Sequence, residues 1–310
     1  MKVAHLILAH DAPERLGRLT AALDLEKSHS FIHIDSKSSI SPFRAAVGDR
    51  ATFLEKRTAV YWGHYSTIEA TLQLIRHALD DARGFDRFVL LSGACYPLRS
   101  SHAQLRFYEA HPHAEFINLV QMPAVEERKP LTRLIEIMPH PGSTPMVRFS
   151  RRVLRKLRLS PTRREDAYRR VMGHLIPFAG DQWWALTRRA CETIVEFMKR
   201  EERVVQFMTR TFFSEEMIFQ IILGNSPLRG AIRRNLTFTD WSDPAWWHPA
   251  TLTARHIDAL FDQDLAFPPE GWYGPGPMLY ARKFSDDDRS LFDIIRARQE
   301  LRDQRASALG

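Results

Sequence analysis

Across its first 120 residues the chain alternates short apolar runs with stretches patterned for helices, the order that a parallel sheet with helical crossovers requires. Val3–Ala9, Phe31–Ile34, Ala51–Leu54, Arg87–Ser92 and Phe116–Leu119 read as strands, and Trp183–Leu186 reads as a later one. Ala12–Ala22 reads as a helix with Pro13 in its first turn. Ser66–Leu79 places Ile68, Leu72, Ile75 and Leu79 on one helical face, and Arg189–Lys199 follows the same logic. The expected fold class is therefore α/β, with a mostly parallel central sheet flanked by helices. One domain is expected over residues 1–310, made of a first half (1–120), an irregular basic insertion (121–179), a second half (180–284) and a C-terminal helix or tail (285–310).

Composition narrows the setting. A chain of 310 residues with 44% hydrophobic and 26% charged residues can bury a large core. Its two cysteines, Cys95 and Cys191, lie far apart and in no metal-ligand spacing, which fits a reducing compartment. The apolar start is too short for a signal peptide and runs into His10-Asp11 without a cleavage site. No window approaches a membrane span, so a cytoplasmic protein is expected. The net charge of +7 is concentrated in Arg151–Arg170, where Val153, Leu154, Leu157 and Leu159 interleave with basic residues. Such a face suits peripheral contact with an anionic membrane surface or a polyanionic acceptor, although many such runs are simply solvated. Nothing else resembles a nucleic-acid module, and no nucleic-acid partner is expected.

In a sheet of this kind the ligand sits beyond the C-terminal strand ends, where strand order reverses. That rim carries Ala9-His10-Asp11, His33-Ile34-Asp35-Ser36-Lys37 and Gly93–Pro97. Neither a G-x-G-x-x-G fingerprint nor a G-x-x-x-x-G-K-[ST] loop is present. Asp35 is placed to bond a ribose or a base edge and Lys37 to face phosphate; a plain turn role for Asp35 stays open. Farther on, Ser214 reads as the N-cap of a helix over Glu215–Leu223. That puts Glu215 and Glu216 in the positive field of a helix start, the setting for a general base. The plainer alternative is that both are ordinary first-turn residues.

The residues then assemble into a recognisable series: Ile32–Ser38, Val60-Tyr61-Trp62-Gly63, Leu91–Ser100, Gly180–Arg188, Ser214–Leu223 and Tyr280-Ala281-Arg282-Lys283-Phe284. In this order they resemble the Core-2/I-branching enzymes (glycosyltransferase family 14), which include β-1,6-N-acetylglucosaminyltransferases and the peptide O-xylosyltransferases. The resemblance implies a GT-A type nucleotide-sugar fold, inverting transfer from a UDP-sugar, and no metal cofactor. It maps the general base onto Glu216, with Glu215 as the fallback. It also implies a diphosphate site at Lys283, with Arg255 as a partner and Arg282 as a competitor, and places His10, Asp35, Lys37, Tyr61 and Trp62 on the donor side. Trp183, Trp184 and Trp241 are candidate sugar platforms, one of the first two being expected in the core because strand neighbours face opposite ways. Arg128 is the candidate acceptor contact. Asp262-Gln263-Asp264 spells an Asp-x-Asp motif, but within a helical run, Ile257–Leu265, and is read as accidental.

Two departures stand out. Cys95 occupies the position where the family turn carries an aspartate, which leaves the donor sugar open, and the cysteine framework of the animal enzymes is absent. The expected reaction is transfer of N-acetylglucosamine to a glycan or lipid-linked glycan hydroxyl in β linkage, with xylose as the rival donor sugar. A glycoside hydrolase needs two carboxylates flanking one bond, and adjacent glutamates in one helical turn do not face the same way. A non-catalytic nucleotide-sugar or glycan-binding protein is the remaining alternative.

Overall fold

The computed structural model describes residues 1–126, 128–135, 164–242, 248–269, 273–286 and 289–308. Seven strands form the main sheet: β1 (Val3–Ala9), β2 (Ser28–Ile34), β3 (Ala51–Phe53), β4 (Arg87–Ser92), β5 (Glu115–Ile117), β6 (Trp184–Thr187) and β7 (Ile232–Arg233). Their order is β7-β5-β6-β4-β1-β2-β3. Every pairing is parallel except those of β6, which runs antiparallel to both β4 and β5. The antiparallel strand is a feature the apolar pattern alone does not reveal, because a strand covered on both faces reads the same in either direction.

Side-chain alternation splits the core into two layers. Ala4 and Leu6 of β1, Phe88 and Leu90 of β4, and Trp184 and Leu186 of β6 face one cluster. Val3, Ile7 and Ala9, Val89 and Leu91, and Ala185 face the other. Both layers are buried, so β1 and β4 need apolar residues at consecutive positions, and both have them. The helix Ser66–Asp80 closes one face with Ile68, Leu72 and Ile75, together with Ile194 of the helix Arg188–Arg200. The helix Pro13–Leu23 closes the other with Leu16, Leu19 and Leu23.

The C-terminal part is more regular than the sequence suggests. Thr237–Thr239, Tyr280–Arg282 and Tyr96–Pro97 form a second, three-stranded sheet, so the segment before Lys283 is stitched to the turn after β4. A third cluster, including Tyr96, Leu260, Phe284 and Phe292, holds this sheet to the helices Ala254–Asp262 and Ser290–Ala308. Asp264 of the Asp-x-Asp triplet lies just past the first of these helices and pairs with Arg302 at 2.6 Å, away from the strand-end rim. Among the described residues no helix is long and apolar enough to cross a membrane. Residues 151–163 of the basic run lie outside the described residues, while Glu165–Met172 is a helix.

The region around Glu216 departs from expectation. Instead of one helix capped by Ser214, a 3-10 turn over Ser214–Glu216 is separated by Met217 from an α-helix over Ile218–Gly224. The hydroxyl of Ser214 is buried without a hydrogen-bond partner, so it caps nothing. Phe213, in the left-handed region at φ 51°, turns the chain instead. Its amide donates to the Gly63 carbonyl at 2.9 Å. Gly63 itself has φ +66°, and a Cβ there would lie 2.2 Å from Cε2 of Phe212, so only glycine fits.

Candidate active site

A cavity of about 670 Å³ opens beyond the C-terminal ends of β1, β2 and β4, where strand order reverses. Its walls include His10, Asp35 and Lys37, the Ser92–Ala94 turn, Asp181, Trp183, Glu215, Glu216, Arg282 and Lys283.

At the β2 end Asp35 is nearly buried and accepts two bonds from one residue, the Lys37 amide at 2.9 Å and the Lys37 ammonium at 2.6 Å. Burial works against the charged carboxyl, but these bonds and the lysine charge outweigh it and hold the group below its usual range. Lys37 also donates to the Val60 carbonyl and lies 4.5 Å over the Tyr61 ring. Tyr61 is therefore a support for Lys37 and not part of the cavity wall, a correction to its expected donor contact. His33 lies below, its Nε2 accepting from the Thr58 amide at 2.8 Å. Burial pushes it down to about 4, so it is a neutral acceptor at physiological pH. His10 is exposed on the rim; its carbonyl accepts from the Ser38 hydroxyl at 2.7 Å.

At the opposite corner Glu216 is built in by three segments. Its Oε2 accepts from Lys129 at 2.5 Å and from Arg133 at 2.8 Å. Lys129 also donates to the Gly180 carbonyl at 2.8 Å, and the Gly180 amide donates to the Glu216 carbonyl at 2.9 Å. Arg133 lies 5.5 Å over the Phe213 ring. A Cβ at Gly180 would fall 1.9 Å from the Asn118 carbonyl oxygen, so this approach needs glycine. Lys129 reaches inward from a tight turn in which Ala124 and Lys129 exchange backbone bonds of 3.0 and 2.8 Å. Arg128, the expected acceptor contact, is on the cavity wall but exposed; its neighbour is the residue that meets Glu216.

Glu215 has a different environment. It is only 6% exposed, and its Oε2 has no hydrogen-bond partner. Burial first, and then the charge of Glu216, push its carboxyl up to about 8, with Lys129 and Arg133 acting in the other direction.

The two remaining groups of expectations divide. Trp183 lines the cavity with the Arg282 guanidinium 4.6 Å over its ring. Trp184 points the other way and packs on Phe219 at 5.9 Å, a core residue and not a sugar platform. Trp62 and Trp241 are exposed at the mouth, Trp62 against Phe213 at 4.8 Å. Lys283 lines the cavity, positioned by its carbonyl's bond from the Leu252 amide at 2.8 Å and the Phe284 amide's bond to the Ala94 carbonyl at 3.0 Å. Arg255 does not: it is exposed on the helix Ala254–Asp262, whose Ile257 and Leu260 face the core. Cys95 is buried, takes the Ser92 amide at 3.3 Å and lies within electrostatic reach of Arg282, so the position of the family aspartate still faces a cation.

The sequence reading missed Lys129, Arg133, Asn118, Asp181 and Arg234. Lys129 and Arg133 are four apart beside Arg128, and Asp181 stands inside the quoted Gly180–Arg188 motif. Those are the only signals the sequence offered. Arg234 lies 3.6 Å over the Phe267 ring and donates to the Gly274 carbonyl, on the wall where a second cation was expected from Arg255.

Comparison with known proteins gives distant structural likenesses. Mouse xyloside xylosyltransferase 1 in its apo form is similar at 10% identity and a TM-score of 0.40, over 90% of this chain and 97% of that one. A putative glucose-1-phosphate thymidylyltransferase from Bacillus anthracis, in complex with a sucrose, is similar at 10% identity and 0.34, over 75% and 86%. A 4-diphosphocytidyl-2C-methyl-D-erythritol synthase is similar at 12% identity and 0.29, this chain covering 66% of that one with 46% of its own length. Likenesses this distant do not speak to activity, and no curated protein matches the sequence. The sequence model of the family described as Core-2/I-Branching enzyme, however, matches residues 3–265. A match over most of the chain means that it belongs to the Core-2/I-branching enzyme family and is a glycosyltransferase.

Proposed function

We propose that this glycosyltransferase is inverting and metal-independent, moving a sugar from a UDP-sugar to a glycan hydroxyl with Glu216 as general base. The observation that carries the reading is the division of charge in one cavity. Glu216 stands at one corner between Lys129 and Arg133, and Lys37, Arg282 and Lys283 reach the same space from the strand ends and the second sheet. As the acceptor oxygen attacks the anomeric carbon, its proton passes to Glu216. The bond from that carbon to the diphosphate breaks, and the departing oxygen's negative charge falls to the cations. Glu215 suits the base role less: a carboxyl pushed up to about 8 already carries its proton at neutral pH. Lys37 supports metal independence, since its ammonium already sits at 2.6 Å on the strand-end carboxylate.

N-acetylglucosamine is the first choice of donor sugar and xylose the second, with a glycan or lipid-linked glycan as acceptor. The proposed setting is the cytoplasm, with the basic run Arg151–Arg170 as a peripheral contact for the inner membrane face. Liposome flotation that ignores charge reversal of that run would end the membrane part of the reading.

Calorimetric titration of UDP, UDP-N-acetylglucosamine and UDP-xylose in EDTA, repeated with manganese, tests the core of it. Binding in EDTA that Lys283→Ala weakens is the expected result, and the tighter sugar nucleotide identifies the donor. Binding seen only with manganese would overturn metal independence. A protein that binds UDP-sugars yet transfers nothing, with Glu216→Gln making no difference, would be a binding protein and not a transferase.

A further inference from the structure

Asp181 is a carboxylate on the cavity wall for which neither the fold nor the proton transfer supplies a task; Glu215 is the other, and burial keeps that one protonated. Asp35 is taken up by Lys37, Asp11 by Arg15 at 2.9 Å, and Glu216 by Lys129 and Arg133. Asp181 accepts instead from a neutral amide, Nδ2 of Asn118, at 2.6 Å. That amide cannot turn away, because its Oδ1 is committed to the Asn235 backbone amide at 2.9 Å. The backbone is fixed as well: the Asp181 carbonyl accepts from Gln220 at 2.8 Å. Among the described residues no ion pair reaches the Asp181 carboxylate, and its second oxygen accepts no hydrogen bond. The group is half-buried, on the cavity wall, and rigidly aimed. Burial pushes its pKa up, against the charge of Lys129 and of Arg234. Holding a carboxylate in such a place without a full set of partners is costly unless a ligand completes it.

The neighbours of Asp181 define what passes in front of it. Its charge acts on Arg282, one of the cations assigned to the diphosphate, and the charge of Glu216, the assigned base, acts on it. During transfer the anomeric carbon must lie between those two groups, since one bond breaks toward the diphosphate while the other forms toward the oxygen that Glu216 deprotonates. The donor ring therefore crosses the Asp181 carboxylate. We propose that Asp181 is the donor-selecting residue, accepting hydrogen bonds from hydroxyl or amide groups of the transferred sugar, with Asn118 as the positioning residue that aims it. This rests on the UDP-sugar reading above and adds to it the group that tells one sugar from another.

The test uses the full chain, Asp181→Asn, which preserves shape and the bond from Asn118, and Asp181→Glu, which preserves charge but displaces it. UDP alone, UDP-N-acetylglucosamine, UDP-xylose and UDP-glucose are titrated, and kcat/KM is measured for each sugar nucleotide. Both variants are expected to bind UDP as the parent does, to lose roughly ten- to hundredfold in kcat/KM for the preferred donor, and to narrow the ratio between preferred and second donor. An unchanged ratio between donors overturns the proposal, as does an equal loss for UDP and UDP-sugars, which would make Asp181 a structural residue. A parent protein that fails to bind UDP at all removes the underlying reading, and this one with it.

Discussion

Two sides of one cavity are constructed in opposite ways. The strand-end side takes His10, Asp35 and Lys37 from short segments directly after β1 and β2, with the Asp35–Lys37 pair closed within three residues. The Glu216 side is assembled from the 124–133 segment, the Gly180 strand entry and the Ser214–Glu216 turn, with Lys129 and Glu216 bonding across 87 positions. A local site keeps its shape if a single strand end is in place. A long-range one exists only when three segments are docked together, and its geometry then depends on each of them. Substitutions at the first are expected to act on donor affinity, those at the second on turnover and on stability.

The largest effect is expected at the long-range side. Glu216→Gln should lower kcat by roughly 10²–10⁴-fold while leaving UDP affinity in place, because it removes the proton acceptor and keeps the shape. Single-turnover rates and UDP titration together check this; a variant with ordinary turnover would move the base to another residue. Lys129→Met should follow, since Lys129 is nearly buried and holds both the Gly180 carbonyl and the Glu216 carboxylate. Losing it leaves the Gly180 carbonyl without its donor and Glu216 with Arg133 alone, a cost of about 1–3 kcal/mol in thermal unfolding together with a lower kcat. Lys37→Met, on a side chain that is 46% exposed, is expected to do less: a higher donor KM, with kcat and melting temperature close to the parent.

How much of this was legible in the sequence follows the same division. The strand-end residues were found because each lies next to an apolar run whose period is plain, and the main strands and helices were placed to within a few residues for that reason. Lys129, Arg133 and Asp181 were not found, since nothing local in the sequence says which distant carboxylate a lysine will meet. Trp183 and Trp184 show the limit at its smallest. Strand alternation requires one in and one out, yet which faces the cavity depends on the register with β4 and β5, where Trp184 sits opposite Leu90 and Ile117. The capped helix over Glu215–Leu223 failed for a related reason. Serine followed by two acids is a good local helix start, but tertiary contacts to Gly63 and Gly180 impose a 3-10 turn first.

A smaller effect separates the two adjacent glutamates. Burial and the neighbouring charge push Glu215 up to about 8, above an unfolded value near 4.5. The folded state therefore binds the Glu215 proton more tightly than the unfolded chain does. That contribution to stability is complete below about pH 4.5 and is lost as pH rises toward and through about 8. Glu215→Gln cannot ionise, so its melting temperature should gain on the parent's steadily between those limits and level off above them. Parallel melting curves across that range check it; a constant difference would mean that Glu215 titrates in the folded protein as it does in the unfolded chain.

The smallest effect expected is at Arg255, and it tests whether the second sheet is positioned as described. The helix Ala254–Asp262 turns Ile257 and Leu260 inward, while Asp258 pairs outward with Arg298 at 2.8 Å. Its start is locked by a capping box between Thr253 and His256, and His256 lies 3.1 Å from Asp240. Arg255 is left facing solvent and is not on the cavity wall. Arg255→Ala should therefore leave donor KM and kcat unchanged and shift stability by no more than about 0.5 kcal/mol. The cationic wall is instead assigned to Arg234, whose guanidinium lies on Phe267 within the cavity, so Arg234→Ala should weaken donor binding where Arg255→Ala does not. The reverse pattern would mean that this helix swings its outer face over the bound nucleotide, and that the second sheet, like the Glu216 corner, is completed only by a long-range rearrangement.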